Sequence, residues 1–95
     1  MPREAALVTR VRRELDRRGA WTINLHGSVM GTTGLPDFLA VHRGRALLIE
    51  TKAPGGRLRP RQRLVLAEAK KAGAVVVVAH DLPAVQAALD EIENA

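Results

Sequence analysis

The sequence predicts a small α/β domain, a central sheet flanked by helices, with its elements in the order αβββαβα. Three observations carry this. The run from Pro2 to about Arg18 places apolar residues at helical spacing. Two strand-like runs, Leu35 to His42 and Arg45 to Lys52, are apolar on both faces and meet at Arg43-Gly44, as central strands of a covered sheet joined by a tight turn do. A second helical run, opened by Pro60 and closed by Gly73, leads into an all-apolar strand, Ala74 to Ala79.

The bulk numbers narrow the function classes. Ninety-five residues make one domain with one core and leave no room for a separate recognition domain, so the expected organisation is a single 1–95 unit that binds anything bulky with the help of a second copy. Fifteen Lys and Arg against ten Asp and Glu give a net charge of +5, which makes a polyanion, nucleic acid above all, the natural partner. Without Cys there are neither disulfides nor thiolate metal sites, and His26, His42 and His80 are too scattered for a local zinc motif. The apolar run 74–79 is far short of the ~20 residues that span a bilayer, and the Arg-rich N-terminus lacks a signal-peptide core, so the expected location is cytoplasmic, without membrane contact.

In the first helix Val8, Val11 and Leu15 form a stripe flanked by Leu7, and Gly19 ends it. Glu4 lies four residues before Val8 and seven before Val11, so at roughly 100° per residue it belongs to the core-facing stripe, while Glu14 falls to the side. Arg3, Arg10, Arg13 and Arg17 gather on the opposite flank, either as a phosphate-contacting surface or as a solvated face. Trp21 to His26 alternates as a short strand, and GSVMGTTG after it is a mobile loop; it lacks the Gly-Lys-Ser/Thr ending of a phosphate-cradling P-loop.

The two central strands hold the unusual charges. If Arg43 and Gly44 form a two-residue turn, His42 faces Arg45, and counting outward sets Asp37 opposite Glu50 on one face, with Cβ atoms ~5 Å apart. An odd-length turn would send the acids to different faces. Opposed like charges destabilise a sheet, so this register makes sense if a cation bridges them. Lys52, two residues beyond Glu50, points to the same side roughly 7 Å along the strand. In the next helix Gln62 shares a face with Leu66 and Ala69, so its amide either looks inward at the sheet or sits exposed in a basic first turn. Leu82 to Ile92 is a final helix with an acidic tail.

Paired carboxylates on adjacent strands are hard oxygen ligands of the kind magnesium or manganese prefers. Such an ion lowers the pKa of water and polarises a phosphodiester, and a lysine on the same face can hold or deprotonate the attacking water and neutralise charge on the phosphorus. Metal-assisted phosphodiester hydrolysis is the reaction these parts fit.

Pro36-Asp37, twelve intervening residues, then Glu50-Thr51-Lys52 resembles the PD-(D/E)XK motif of the restriction-endonuclease-like nucleases. Within that superfamily GLPD, LLIETK, the GGRL loop and Gln62 at the next helix start resemble the VRR-NUC branch, itself similar to Holliday junction resolvases. The resemblance implies an αβββαβ core with a mixed sheet and an added C-terminal helix. It also implies a magnesium- or manganese-dependent DNA endonuclease, active on duplex or branched, junction-like DNA as a homodimer, in a bacterial or phage-infected cell. Asp37 and Glu50 would be metal ligands, with the backbone carbonyl of Thr51 and the first-helix Glu4 as further ligands. Lys52 would be the catalytic base or charge stabiliser, and Gln62 would position the lysine, water or phosphate. Thr51 departs from the usual aliphatic residue, and strand alternation turns its side chain away from the site.

Arg57, Arg59, Arg61 and Arg63 crowd the loop and helix start beside the acids, where with Arg10 and Arg13 they can grip phosphates. With Trp21 and Phe38 the sole aromatics, stacking on single strands is poorly provided for, which favours duplex or junction DNA. The alternatives are a catalytically silent nucleic-acid-binding module on the same fold, marked by a broken acid pair or missing lysine, and an unrelated small domain with an acidic protein partner.

Overall fold

The computed structural model describes residues 3–25 and 33–95, without the side chains of residues 3 and 4. The chain runs α1 (Arg3–Arg17), β1 (Trp21–Asn24), β2 (Phe38–His42), β3 (Arg45–Thr51), α2 (Pro60–Lys71), β4 (Val75–Ala79) and α3 (Leu82–Glu93). Type and order match the expectation. The sheet order is β1-β2-β3-β4, antiparallel across the first three strands and parallel between β3 and β4. Parallel neighbours need a crossover, and α2 supplies it.

The hairpin forms as counted. His42 pairs with Arg45 and Phe38 with Ile49. Both turn residues have positive φ, 50° at Arg43 and 79° at Gly44. That is the two-residue turn whose twist suits flanking strands; Gly44 adopts it without a Cβ penalty, whereas Arg43 does so at some cost. The pairing of β2 with β3 starts at Phe38 rather than Leu35, because Pro36 has no N–H to offer the ladder. One more step of the register sets Asp37 across from Glu50.

The core lies on one side of the sheet. Phe38, Ala40, Leu47, Ile49 and Ala79 face Leu7, Val11 and Leu15 of α1 and Val85, Ala88, Leu89 and Ile92 of α3. The α1 stripe therefore centres on Leu7, with Val8 half-buried at its margin. This rotation also corrects the place of Glu14, which is buried rather than set to the side. Its carboxylate accepts hydrogen bonds from Arg17 and Arg18, and Arg18 continues to Asp90 and Glu93 on α3. Glu93 also meets Nε2 of the buried His42 at 2.8 Å, so α1, α3 and β2 are latched at one end.

The hydrogen bond from Arg17, joined by that from Arg18, holds the Glu14 carboxyl below its ordinary 4.5 despite burial. His42 and then Arg18 do the same for Glu93. Because both folded values are depressed, the stability they contribute is present above about pH 4.5 and is lost as pH falls through the folded values. Glu14→Gln should accordingly unfold in less denaturant at pH 7 and lose less further stability than the native chain between pH 5 and pH 3, measured by urea titration.

Among the described residues the opposite face is only partly covered, contrary to the expectation of a sheet closed on both sides. α2 packs against β4 there and buries Leu66, leaving Leu39 and Leu48 half-exposed and Val41, Ile23 and Trp21 open, the last at 57%. A single crossover helix is too narrow to span four strands. This half-open face is the one toward which the alternation of β3 turns Glu50.

Candidate active site

Four side chains from three segments converge at the C-terminal end of β3. Glu50 is the last residue but one of that strand, Lys52 follows it, Asp37 stands just before β2, and Gln62 is the third residue of α2. Glu50 is the hub, 4% exposed. Its Oε1 accepts the Asp37 backbone N–H at 3.1 Å, and its Oε2 accepts Gln62 Nε2 at 2.9 Å beside Lys52 Nζ at 3.1 Å. The expected convergence of acid, acid, ammonium and amide is thus present.

Burial, and after it the charge of Asp37, pushes the Glu50 carboxyl up from 4.5, against the pull of Lys52 and Gln62. A raised folded value means that the group's contribution to stability is fully present below pH 4.5 and is lost as pH rises through the folded value. Ionising Glu50 therefore carries a cost that Lys52 and Gln62 offset in part and that a further cation would relieve.

Gln62 does not sit exposed. Its Oε1 accepts the Arg59 backbone N–H at 3.1 Å, capping the start of α2, which leaves the Nε2 end to donate to Glu50. One amide ties the helix to the acid. The loop before Asp37 is held against the same turn: at Gly34, φ +81°, a Cβ would lie 2.7 Å from Arg61 Cγ and 2.8 Å from the Arg61 carbonyl oxygen. Gly34→Ala should push this turn away from Glu50, cost more than about 1 kcal/mol in denaturant unfolding, and lower DNA cleavage beyond what the lost stability explains.

Asp37 corrects the expectation for Thr51. Asp37 Oδ2 accepts the Thr51 backbone N–H at 2.8 Å and the Thr51 hydroxyl at 2.5 Å. The Thr51 side chain therefore does not turn away from the acids. Strict alternation misleads here because Asp37 precedes the β2–β3 ladder, where its side chain replaces a strand neighbour and reaches round to Thr51. The sequence signal was a β-branched residue with a hydroxyl where the family favours an aliphatic one.

The arginines divide. Arg59 and Arg61 rim a cleft of about 470 Å³ whose lining includes Asp37, Glu50, Lys52 and Gln62. Arg57 and Arg63 are exposed nearby without lining it. Arg10 and His80 line a smaller cleft of about 260 Å³ that also touches Lys52, and Arg13 is exposed in neither. Arg17 is committed to Glu14. The Glu4 side chain lies outside the described residues, as does most of the GSVMGTTG loop. Among the described residues no group of three or more His, Asp or Glu is arranged to hold a metal. The Asp37 and Glu50 carboxylates are hard oxygens of the kind that could hold magnesium or manganese. No helix among the described residues is long and apolar enough to cross a membrane.

The fold has a counterpart among solved structures. The chain is similar over its length to a solved structure described as a VRR-NUC domain, with a TM-score of 0.81 at 23% identity, covering 95% of this chain and 97% of that one. No curated protein matches. The profile of the VRR-NUC domain matches residues 26–81, more than half of the chain and the whole span from the hairpin to β4. The chain belongs to the VRR-NUC domain family of PD-(D/E)XK nucleases, and that membership implies nuclease activity on DNA.

Proposed function

We propose that the 1–95 unit is a metal-dependent DNA endonuclease that acts as a homodimer on duplex or branched, Holliday-junction-like DNA in the cytoplasm of a bacterial or phage-infected cell. The observation that carries this reading is the meeting of Glu50, Lys52 and Gln62 within 3.1 Å in a cleft rimmed by Arg59 and Arg61.

Magnesium or manganese fits the Asp37 and Glu50 carboxylates, with the Thr51 backbone carbonyl and Glu4 as further oxygens. When bound, such an ion supplies Lewis acidity toward a phosphoryl oxygen and makes water easier to deprotonate. The chain's own groups do the rest. Arg59 and Arg61 take the phosphates flanking the scissile bond, and Arg57, Arg63, Arg10 and Arg13 extend the grip along the backbone. Lys52, 3.1 Å from Glu50 Oε2, would as an ammonium donate a hydrogen bond that orients the attacking water and offset the charge that grows on the phosphate oxygens, or as a neutral amine take the proton of that water. Gln62, which donates to Glu50 at 2.9 Å, would keep that carboxylate from turning. Two copies related by a two-fold axis supply two clefts, one for each strand to be cut.

The test is cleavage of labelled junction, flap and duplex DNA with magnesium, manganese or EDTA. Cleavage that needs the metal and is lost in Asp37→Asn is the expected result; cutting indifferent to EDTA and to that substitution overturns the mechanism. Without DNA, saturating manganese should raise the melting temperature, since about 2.7 kcal/mol is gained at a hundred times the dissociation constant, and Asp37→Asn should abolish the shift.

A further inference from the structure

Thr51 is fully buried, and its hydroxyl is spent on Asp37. Packing does not call for that hydroxyl, since valine has nearly the same volume and shape. The backbone N–H of residue 51 reaches Asp37 Oδ2 whatever the side chain, so the hydroxyl adds a second donor to the same oxygen. Two donors from one residue, at 2.8 and 2.5 Å, fix both the position of that oxygen and the rotation of the carboxylate about its own axis. The backbone of Asp37 is held on both sides, its carbonyl accepting from the Leu25 N–H at 2.7 Å and its N–H donating to Glu50 Oε1 at 3.1 Å, and the two Thr51 donors act on the carboxylate itself.

We infer that the Thr51 side chain is a positioning group of the acid pair: its hydroxyl clamps one oxygen of Asp37 so that the carboxylate meets the cation in a single orientation relative to Glu50. This rests on the reading of Asp37 as a metal ligand. Groups that hold a ligand from behind set metal affinity by about 10–100-fold, because an unclamped carboxylate must be ordered when the ion arrives. The hydroxyl's part is separable from that of the backbone carbonyl, which the proposed function offers as a further ligand.

The experiment is calorimetric titration of the DNA-free protein with manganese, for the native chain, Thr51→Val, Thr51→Ser and Asp37→Asn, with a melting curve for each. Thr51→Val should bind manganese about 10-fold or more weaker while still melting cooperatively, and Thr51→Ser, which keeps the hydroxyl, should restore affinity to within about 3-fold of native. Native affinity in Thr51→Val, or equal weakening in Val and Ser variants, overturns the inference while a loss in Asp37→Asn leaves the metal site standing. Native affinity in Asp37→Asn overturns the site itself. Should Thr51→Val not fold, Thr51→Ala against Thr51→Ser decides in the same way.

Discussion

Lys52→Ala should lower the cleavage rate by about 10²–10⁴-fold, the span commonly lost with a positioned acid or base, while leaving DNA affinity close to native. The expectation follows from the division of labour in the cleft. Arg59 and Arg61 stand at its rim, where the proposed reading has them hold phosphate, whereas the Lys52 ammonium lies 3.1 Å from Glu50 Oε2, beside the acid pair where the proposed hydrolysis would develop charge. Single-turnover rates beside fluorescence-anisotropy binding separate the two. A fall in affinity as large as the fall in rate would place Lys52 among the phosphate anchors and leave the chemistry without its lysine. Lys52→Arg should recover little, because a planar guanidinium is bulkier and spreads its charge where lysine presents a compact one.

Phe38→Ala should destabilise the protein by about 3–5 kcal/mol, as truncation of a well-packed aromatic does. Phe38 is fully buried at the centre of the face covered by α1 and α3. A domain of this size has about 5–15 kcal/mol in all, so the variant should unfold in far less urea and lose activity through stability rather than chemistry. Val41→Ala on the same strand is the control. Val41 points to the half-open face, where it is 40% exposed, and its loss should cost less than about 1 kcal/mol. Equal effects would contradict the alternation along β2, which sets residues three apart on opposite faces, and with it the hairpin register built on that strand.

The same register marks how far local sequence reaches. Two residues between apolar runs, one of them glycine, specify a hairpin, and counting from it sets Asp37 against Glu50 without further information. Pro60 and Gly73 bound α2, and the placing of Gln62 on the face of Leu66 turns its amide toward the sheet. Other features were out of reach. The burial of Glu14 depends on Arg18, whose further partners Asp90 and Glu93 lie more than 70 positions away along the chain. The role of Gly34 depends on how closely the loop before Asp37 approaches the first turn of α2.

The sequence by itself determined the order of elements, the strand register and the residue types gathered at the end of β3, because periodicity, turn chemistry and breakers act over a few neighbouring positions. Only the tertiary structure decided which face of the sheet stays open, which arginines line the cleft and which are spent on ion pairs, and that the Thr51 hydroxyl belongs to Asp37. Each of those turns on where a helix settles or on how a strand end bends, and such placements come from packing between segments that no local spacing encodes.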